Sequence, residues 1–400
     1  MSRTPVTTRE WRTVAILSLG FGLVGIDRFL ISTMYPTIAR DLGLDYGDIG
    51  TITGVLALAW GLAALVMGNL SDRIGHRPVL VGSLVVFSLF IGGSGLAAGL
   101  GGLILVRAMM GFADGAYTPA SIAATVAASP PERHGTNVGL QQTMLVLFGL
   151  GLSPLIVGFL LREGVDWRYI FLIFTLPGLL VAWATWRIIP PRLAAAPAHG
   201  SVSGWRAVLR YRNIRLLMCA MFCWLTCLII TSAFLPSYLV DHLGLPETDM
   251  GIVMSAIGFG AVVGTILLSA LSDRIGRKPV MILSAIATLV ALLCFGAIGP
   301  SVGTLFAGLF VIHFFNNALI TLTVGPISTE TVPAVLMTTA SGVVIAAGEL
   351  LGGGLAPMLG GWVAQNFGIN HILWLPIATL AIGTLICLTL DETHPAKVTS

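Results

Sequence analysis

Five charged side chains interrupt long apolar stretches of the sequence: Asp27, Arg28, Arg107, Asp114 and Glu349. A charge at the centre of a membrane-spanning helix costs about 2.5–3.5 kcal/mol on the insertion scale. Five uncompensated charges would cost roughly 12–18 kcal/mol, comparable to the whole stability of a domain. They must therefore be paired, neutralised or lining water. A carboxylate in a low-dielectric site favours binding a proton, and a neighbouring guanidinium opposes this, so the set has the makings of a proton-exchanging centre. Asp27 and Arg28 are adjacent in sequence and point ~100° apart on a helix, so they need not pair with each other. Arg107 and Asp114 lie two turns apart on one helix face, ~10 Å in rise. The competing reading is a static buried ion network.

The rest of the chain sets where these charges sit. Hydrophobic residues make up 56% of the 400 positions and charged residues 10%, against about 25% in soluble domains. So few charges cannot cover a soluble body, which excludes a cytosolic enzyme, a disordered chain and a secreted disulfide scaffold. Runs of about 20 apolar residues, the length that crosses a bilayer, occur near 13–36, 49–69, 78–99, 101–127, 136–161, 169–189, 214–240, 249–270, 279–299, 302–326, 337–362 and 369–390. They lack the alternation of a membrane β-strand, and the 48 glycines suit helices packed closely in lipid. The expected fold is an all-α membrane protein with twelve transmembrane helices. The first run is too long for a signal-peptide core and lacks a small-residue cleavage site, so it is expected to remain as a helix. Cys219, Cys223, Cys227, Cys294 and Cys387 all fall in apolar runs. They imply helix packing, with no disulfide frame, metal or other cofactor.

Of the 21 Lys and Arg side chains, 16 fall in the tails and loops on one side of the predicted membrane. The other side has three, Arg40, Arg162 and Arg168, while Arg28 and Arg107 are inside helices. This bias places both termini in the cytoplasm, in a cell membrane such as the bacterial inner membrane. The longest connection, 190–213, is polar, Pro-rich and basic. It reads as a cytoplasmic linker between a bundle at 1–189 and another at 214–400, with an amphipathic end near Trp205 lying on the membrane surface.

An internal repeat supports that division. Residues 70–75 and 271–276 both read LSDRIG, an offset of 201. At the same offset Leu42-Gly43-Leu44 matches Leu243-Gly244-Leu245, Asp48 matches Asp249, and Gly50 matches Gly251. Pro154 and Gly158 match Pro357 and Gly361 at an offset of 203. Two six-helix bundles related by an axis along the membrane normal are a parallel-repeat plan used by secondary transporters.

The loop motif Gly68-Asn69-Leu70-Ser71-Asp72-Arg73-Ile74-Gly75-His76-Arg77, copied at Ser269–Lys278 with Asp273, Arg274, Gly276 and Arg277, resembles the signature of the major facilitator superfamily. The resemblance covers essentially the whole chain and implies two pseudo-symmetric six-helix bundles. It also implies that the motif's charges form ion pairs across the cytoplasmic face and hold one conformation shut. Ile26-Asp27-Arg28, Tyr35-Pro36, Asp41-Leu42-Gly43-Leu44 and Arg107-x-x-x-Gly111-x-x-Asp114 resemble, more narrowly, the anion:cation symporter branch. Asp114 stands where that branch often has Glu, and Trp60 where it often has Tyr.

The branch resemblance implies roles. Asp27 and Asp114 would carry protons, Arg28 would anchor a substrate carboxylate, and Arg107 would support the acid of helix four and line the substrate site. In an empty cavity Arg28 would stabilise ionised Asp27 or Asp114. Glu349 departs from the branch pattern and is either a third proton site or a neutral packing acid. Gln141, Gln142, Asn316 and Asn317 could donate to a substrate or simply bond helix to helix. Trp60 offers a flat apolar wall, which favours an aromatic acid over a sugar acid. The expected function is proton-coupled uptake of a small organic anion by a monomer, with one or two protons per anion. The alternatives are a proton-coupled drug or metabolite exporter and a non-transport membrane receptor. No nucleophile–base pairing, metal-protease motif or phosphate loop suggests an enzyme, and no basic face suggests nucleic acid.

Overall fold

Every predicted run folds as a helix. The computed structural model describes residues 8–130, 133–190 and 205–393, without the side chains of residues 65, 66, 68–70, 72, 73, 334 and 338. The first half contains α1 (Thr8–Leu42), α2 (Tyr46–Ile74), α3 (His76–Ser94), α4 (Leu100–Ala128), α5 (His134–Arg162) and α6 (Trp167–Ile188). The second contains α7 (Arg212–His242), α8 (Glu247–Ile275), α9 (Arg277–Phe295), α10 (Val302–Glu330), α11 (Thr339–Phe367) and α12 (Ile369–Thr389). Eleven are long and apolar enough to cross a membrane. The twelfth, α4, is long enough but carries Arg107 and Asp114 in its middle. Most of the expected linker, 191–204, lies outside the described residues. Trp205–Val208 forms a single helical turn with an exposed Trp205.

Local sequence explains the repeated breaks. α2 and α8 each end at a glycine with positive φ, Gly75 at 92° and Gly276 at 107°. Their N–H groups bond the carbonyls of Ser71 and Ser272. A side chain would strain this backbone, so glycine permits the sharp entry into α3 and α9. In α5 and α11, π-helical stretches at Leu147–Leu152 and Gly348–Leu355 run up to Pro154 and Pro357. Proline lacks an N–H and its ring crowds the carbonyl four residues back, and the wider π turns accommodate both effects.

α1 and α7 are the most enclosed helices, with 89% and 78% of their apolar windows buried. α6, α9 and α12 are among the least enclosed helices. They expose Leu172, Leu176 and Leu180, then Leu283, Ile286 and Val290, then Ile382, Leu385 and Leu388, at helical spacing suited to lipid. The halves meet where α2 packs on α11 and α5 packs on α8. At these crossings glycine faces glycine. A Cβ built on Gly251 would stand 3.1 Å from the Cα of Gly158, and one on Gly50 would stand 3.1 Å from the Cα of Gly361. All of these contacts lie toward the face that carries the α1–α2 and α7–α8 turns, called here the far face. At the opposite face, where the chain begins, no hydrogen bond or ion pair joins the halves among the described residues. Among the described residues the polar links between the halves lie at the centre and at the far face.

Gly251→Val should wedge the far face apart and cost about 1–3 kcal/mol by overpacking. It should lower the melting temperature followed by tryptophan fluorescence. Gly82→Ala, where an added Cβ meets nothing within 4 Å, should leave it unchanged.

Candidate functional site

At the middle of α1, successive residues face different neighbours. Arg28 points to the seam between the halves. Its two terminal nitrogens donate to the two carboxylate oxygens of Glu349, at 3.2 and 2.7 Å. Trp60 of α2 lies against the guanidinium, 4.6 Å from ring centroid to Cζ, a stacking contact that suits Arg. Gly115 of α4 sets this wall, since a Cβ there would stand 3.0 Å from the Cα of Trp60. The Arg28 and Glu349 side chains remain 7% and 18% exposed.

Asp27 turns the other way, into the first half. Asp27, Arg107 and Asp114 are all buried. Arg107 Nη1 donates to the main-chain carbonyl of Asp27 at 2.7 Å. Both carboxylates lie within electrostatic reach of Arg107 and of each other. The two carboxylates lie within hydrogen-bonding reach of each other, neither accepts a bond from any other donor, and Nε and Nη2 of Arg107 donate none. The structure thus brings Asp27, Arg107 and Asp114 into one buried cluster and places Arg28 beside it. It corrects two expectations. The ion-pair partner of Arg28 is Glu349 from the other half, while Asp114 lies within its electrostatic reach and does not bond it. Arg107 is sealed behind α1 and not presented at the seam.

The amides are elsewhere. Thr125 donates to Gln141 at 3.0 Å, and Gln141 in turn donates to Ser121, so this side chain ties α5 to α4. Gln142 is exposed. Asn316 donates to the Trp224 carbonyl at 3.2 Å, and Asn317 donates to Thr265 at 2.8 Å. His313 meets Thr231 at 3.1 Å. None of these bonds reaches Arg28 or Glu349.

The loop motif behaves differently from expectation. Arg277 pairs with Glu330 at 2.9 Å and with Asp273, all within the second half. Glu392 accepts the N–H groups of Arg277 and Lys278 at 3.0 and 3.1 Å. Arg77 donates to the Trp186 carbonyl at 2.5 Å, within the first half. Arg274 is exposed. The side chains of Asp72 and Arg73, and the surroundings of Gly68, lie outside what is described. Among the described residues Arg77 and Arg277 thus bond within their own halves.

The sequence reading missed a lock at the far face. Glu247 at the start of α8 accepts from Arg40 at 2.7 Å and from Thr37 at 2.8 Å, both on α1. Tyr46 at the start of α2 donates to Asp241 at the end of α7, at 3.1 Å, and its N–H donates to Gln365 at 3.2 Å. Beside these bonds lies a cavity of about 420 Å³ lined by Tyr35, Arg40, Tyr46, Asp241 and Gln365 among others. Its signal was available: at the offset of 201, Arg40 corresponds to Asp241 and Tyr46 to Glu247. The two contacts are one contact repeated.

The model of the Major Facilitator Superfamily matches residues 17–247 and 229–400, and the chain belongs to that family. It is a multi-pass membrane transporter, and the family's members are not enzymes. The chain is similar to the 3-(3-hydroxy-phenyl)propionate transporter of Escherichia coli, with 29% identity over 77% of this chain and 76% of that protein. It is similar to the sialic acid transporter NanX of Escherichia coli, with 26% identity over 95% and 93%. It is also similar to a multi-drug resistance efflux pump PmrA homolog of Lactococcus lactis, with 25% identity over 72% and 73%. In fold it matches the inward-facing, unoccupied crystal structure of a bacterial homolog to the human lysosomal transporter Spinster, with a TM-score of 0.80, 18% identity and coverage of 96% and 97%.

Glu247→Gln should loosen the far face. The Arg40 side chain is 61% exposed, so the pair is worth about 1 kcal/mol at most and the effect is a few-fold. In a cysteine-free background, Ala39→Cys beside the cavity should react a few-fold faster with a bulky thiol reagent once Glu247→Gln is added. High salt should reproduce part of the gain without that mutation.

Proposed function

We propose that this transporter takes up a small organic anion, a carboxylate such as an aromatic or sugar acid, together with protons. The observation that carries this reading is Arg28, a guanidinium held at the seam between the halves with its edge on a carboxylate and its face on Trp60. Arg28 is the substrate anchor and Trp60 the apolar wall. Asp27 and Asp114 carry protons. Asp27 and Asp114 with Arg107, and likewise Arg28 with Glu349 beside them, reach charge balance only with one proton held between the two aspartates. Arg107 positions this pair through the Asp27 carbonyl and does not touch substrate. The acid transporters among the relatives support the substrate class.

In this reading the chain works as a monomer in the cell membrane, bacterial inner membrane included, with both termini cytoplasmic. The closed far face is then the outer face, and the seam opens toward the cytoplasm. The rocking units are residues 1–189 and 214–400, joined by 190–213. A second reading, proton-coupled export of drug-like compounds, rests on the likeness to an efflux pump. The direction of flux separates the two: external acid drives accumulation by a symporter and depletion by a proton-exchanging exporter.

In proteoliposomes with an acidic exterior, the wild-type protein should concentrate 3-(3-hydroxyphenyl)propionate, sialic acid or D-gluconate. If net charge enters, ~100 mV contributes about 2.3 kcal/mol, nearly fifty-fold in concentration. Asp27→Asn and Asp114→Asn should each abolish this uphill accumulation and retain exchange of labelled for unlabelled substrate. Full accumulation by both variants would refute the proton role.

A further inference from the structure

Glu349 occupies the position of a ligand. Its two oxygens meet both terminal nitrogens of Arg28, the geometry in which a guanidinium grips a carboxylate. It comes from the opposite half, 321 residues away in sequence. The π-helical stretch that carries it leaves room for this reach. A Cβ on Gly353 would stand 2.7 Å from Glu349 Oε2 and 3.4 Å from Arg28 Nη2. We propose that Glu349 is a built-in substitute for the substrate's carboxylate. An incoming carboxylate exchanges with it on Arg28, and the displaced Glu349 takes one proton. This rests on the organic-anion reading and adds a specificity-determining residue to it.

The exchange balances. Before it, the site holds cationic Arg28 and anionic Glu349. Afterwards it holds cationic Arg28, the substrate anion and neutral Glu349. The site's charge is unchanged, and one carboxylate and one proton have entered together. No covalent bond other than O–H is made. The surroundings require the proton. Among the described residues Arg28 is the one ion-pair partner of Glu349. α2 faces this stretch with Ala57 and Leu58, and α7 faces it with Met221 and Leu225. Within one helical turn of these facing positions the titratable side chains are the thiols Cys219, Cys223 and Cys227 on α7, and Asp27 stands beside Arg28 on α1. Asp114 of α4 also lies within electrostatic reach of Arg28. None is a second cation. A displaced carboxylate left charged here would be an uncompensated buried ion, and neutralisation by a proton resolves it.

The test uses the full-length protein in detergent, with 3-(3-hydroxyphenyl)propionate and D-gluconate as probes. Titration calorimetry near neutral pH, in buffers of different ionisation enthalpy, counts protons taken up per carboxylate bound. Glu349→Gln should take up one proton fewer than wild type. It should also bind about tenfold tighter, because Arg28 no longer has an internal competitor that leaves it free only a fraction of the time. Glu349→Asp, with a shorter reach, should keep the proton uptake and gain part of the affinity. Absence of proton uptake by the wild-type protein overturns the proposal without any variant. A Glu349→Gln protein with unchanged or weaker affinity, or undiminished proton uptake, overturns it and leaves the organic-anion reading standing. If neither wild type nor variant binds either acid, the organic-anion reading falls and takes this proposal with it.

Discussion

A guanidinium enclosed by apolar helices must be compensated, and Arg28 is compensated from the other half of the protein. Removing one member of a buried ion pair leaves the other uncompensated, typically at a cost of about 3–5 kcal/mol. The Arg28–Glu349 pair therefore constrains more than two side chains. It holds the middle of α1 against the middle of α11, across the seam between the two halves. It also fixes the face of Arg28 on Trp60, and so the shape of the apolar wall. Behind it, Arg107 bonds the carbonyl of the residue that precedes Arg28. The seam pair and the buried cluster are adjoining layers of one charge arrangement.

The scaffold is symmetric and the chemistry is not. Matching glycines end α2 and α8, and matching π stretches precede Pro154 and Pro357. At the far face the repeat extends to contacts: Arg40 reaches Glu247, and at the equivalent positions Asp241 accepts from Tyr46. One is an ion pair and the other a neutral donor to a carboxylate, so the two sides of one lock respond differently to salt. At the centre the correspondence fails altogether. Asp27 and Arg28 align with Leu228 and Ile229, which pack as apolar core. At this depth the second half contributes Glu349, from a helix whose counterpart is α5. The symmetry of the backbone thus does not extend to the intramembrane charges.

Much of this was legible because the membrane imposes its own arithmetic. Span length, loop charge and the offset of 201 define the helices and the two bodies without any packing information. The five intramembrane charges stand out for the same reason. Their pairing was not legible. Asp27 and Asp114 are the acids nearest Arg28 by helix order, while Glu349 lies 321 residues away and reaches Arg28 through a π turn whose geometry no composition rule supplies. The amides misled for a different reason. A buried amide must satisfy its hydrogen bonds close at hand, and Gln141, Asn316 and Asn317 do so against neighbouring helices. The far-face lock is the instructive omission, since applying the repeat offset to Arg40 would have returned Asp241.

The tether on Glu349 carries a further consequence. A carboxylate fixed beside its partner acts at an effective concentration of millimolar or more. A free organic acid at micromolar concentration would lose to it on Arg28 if both competed as anions, however well the rest of the pocket fitted. Apolar contact with Trp60 could offset part of that deficit, at the expense of restricting the site to flat acids. Removing the charge of the competitor is a more general solution, and protonation does so in a single step. On this view proton dependence is not an accessory added to an anion site. It is what lets a site that already contains its own anion accept another.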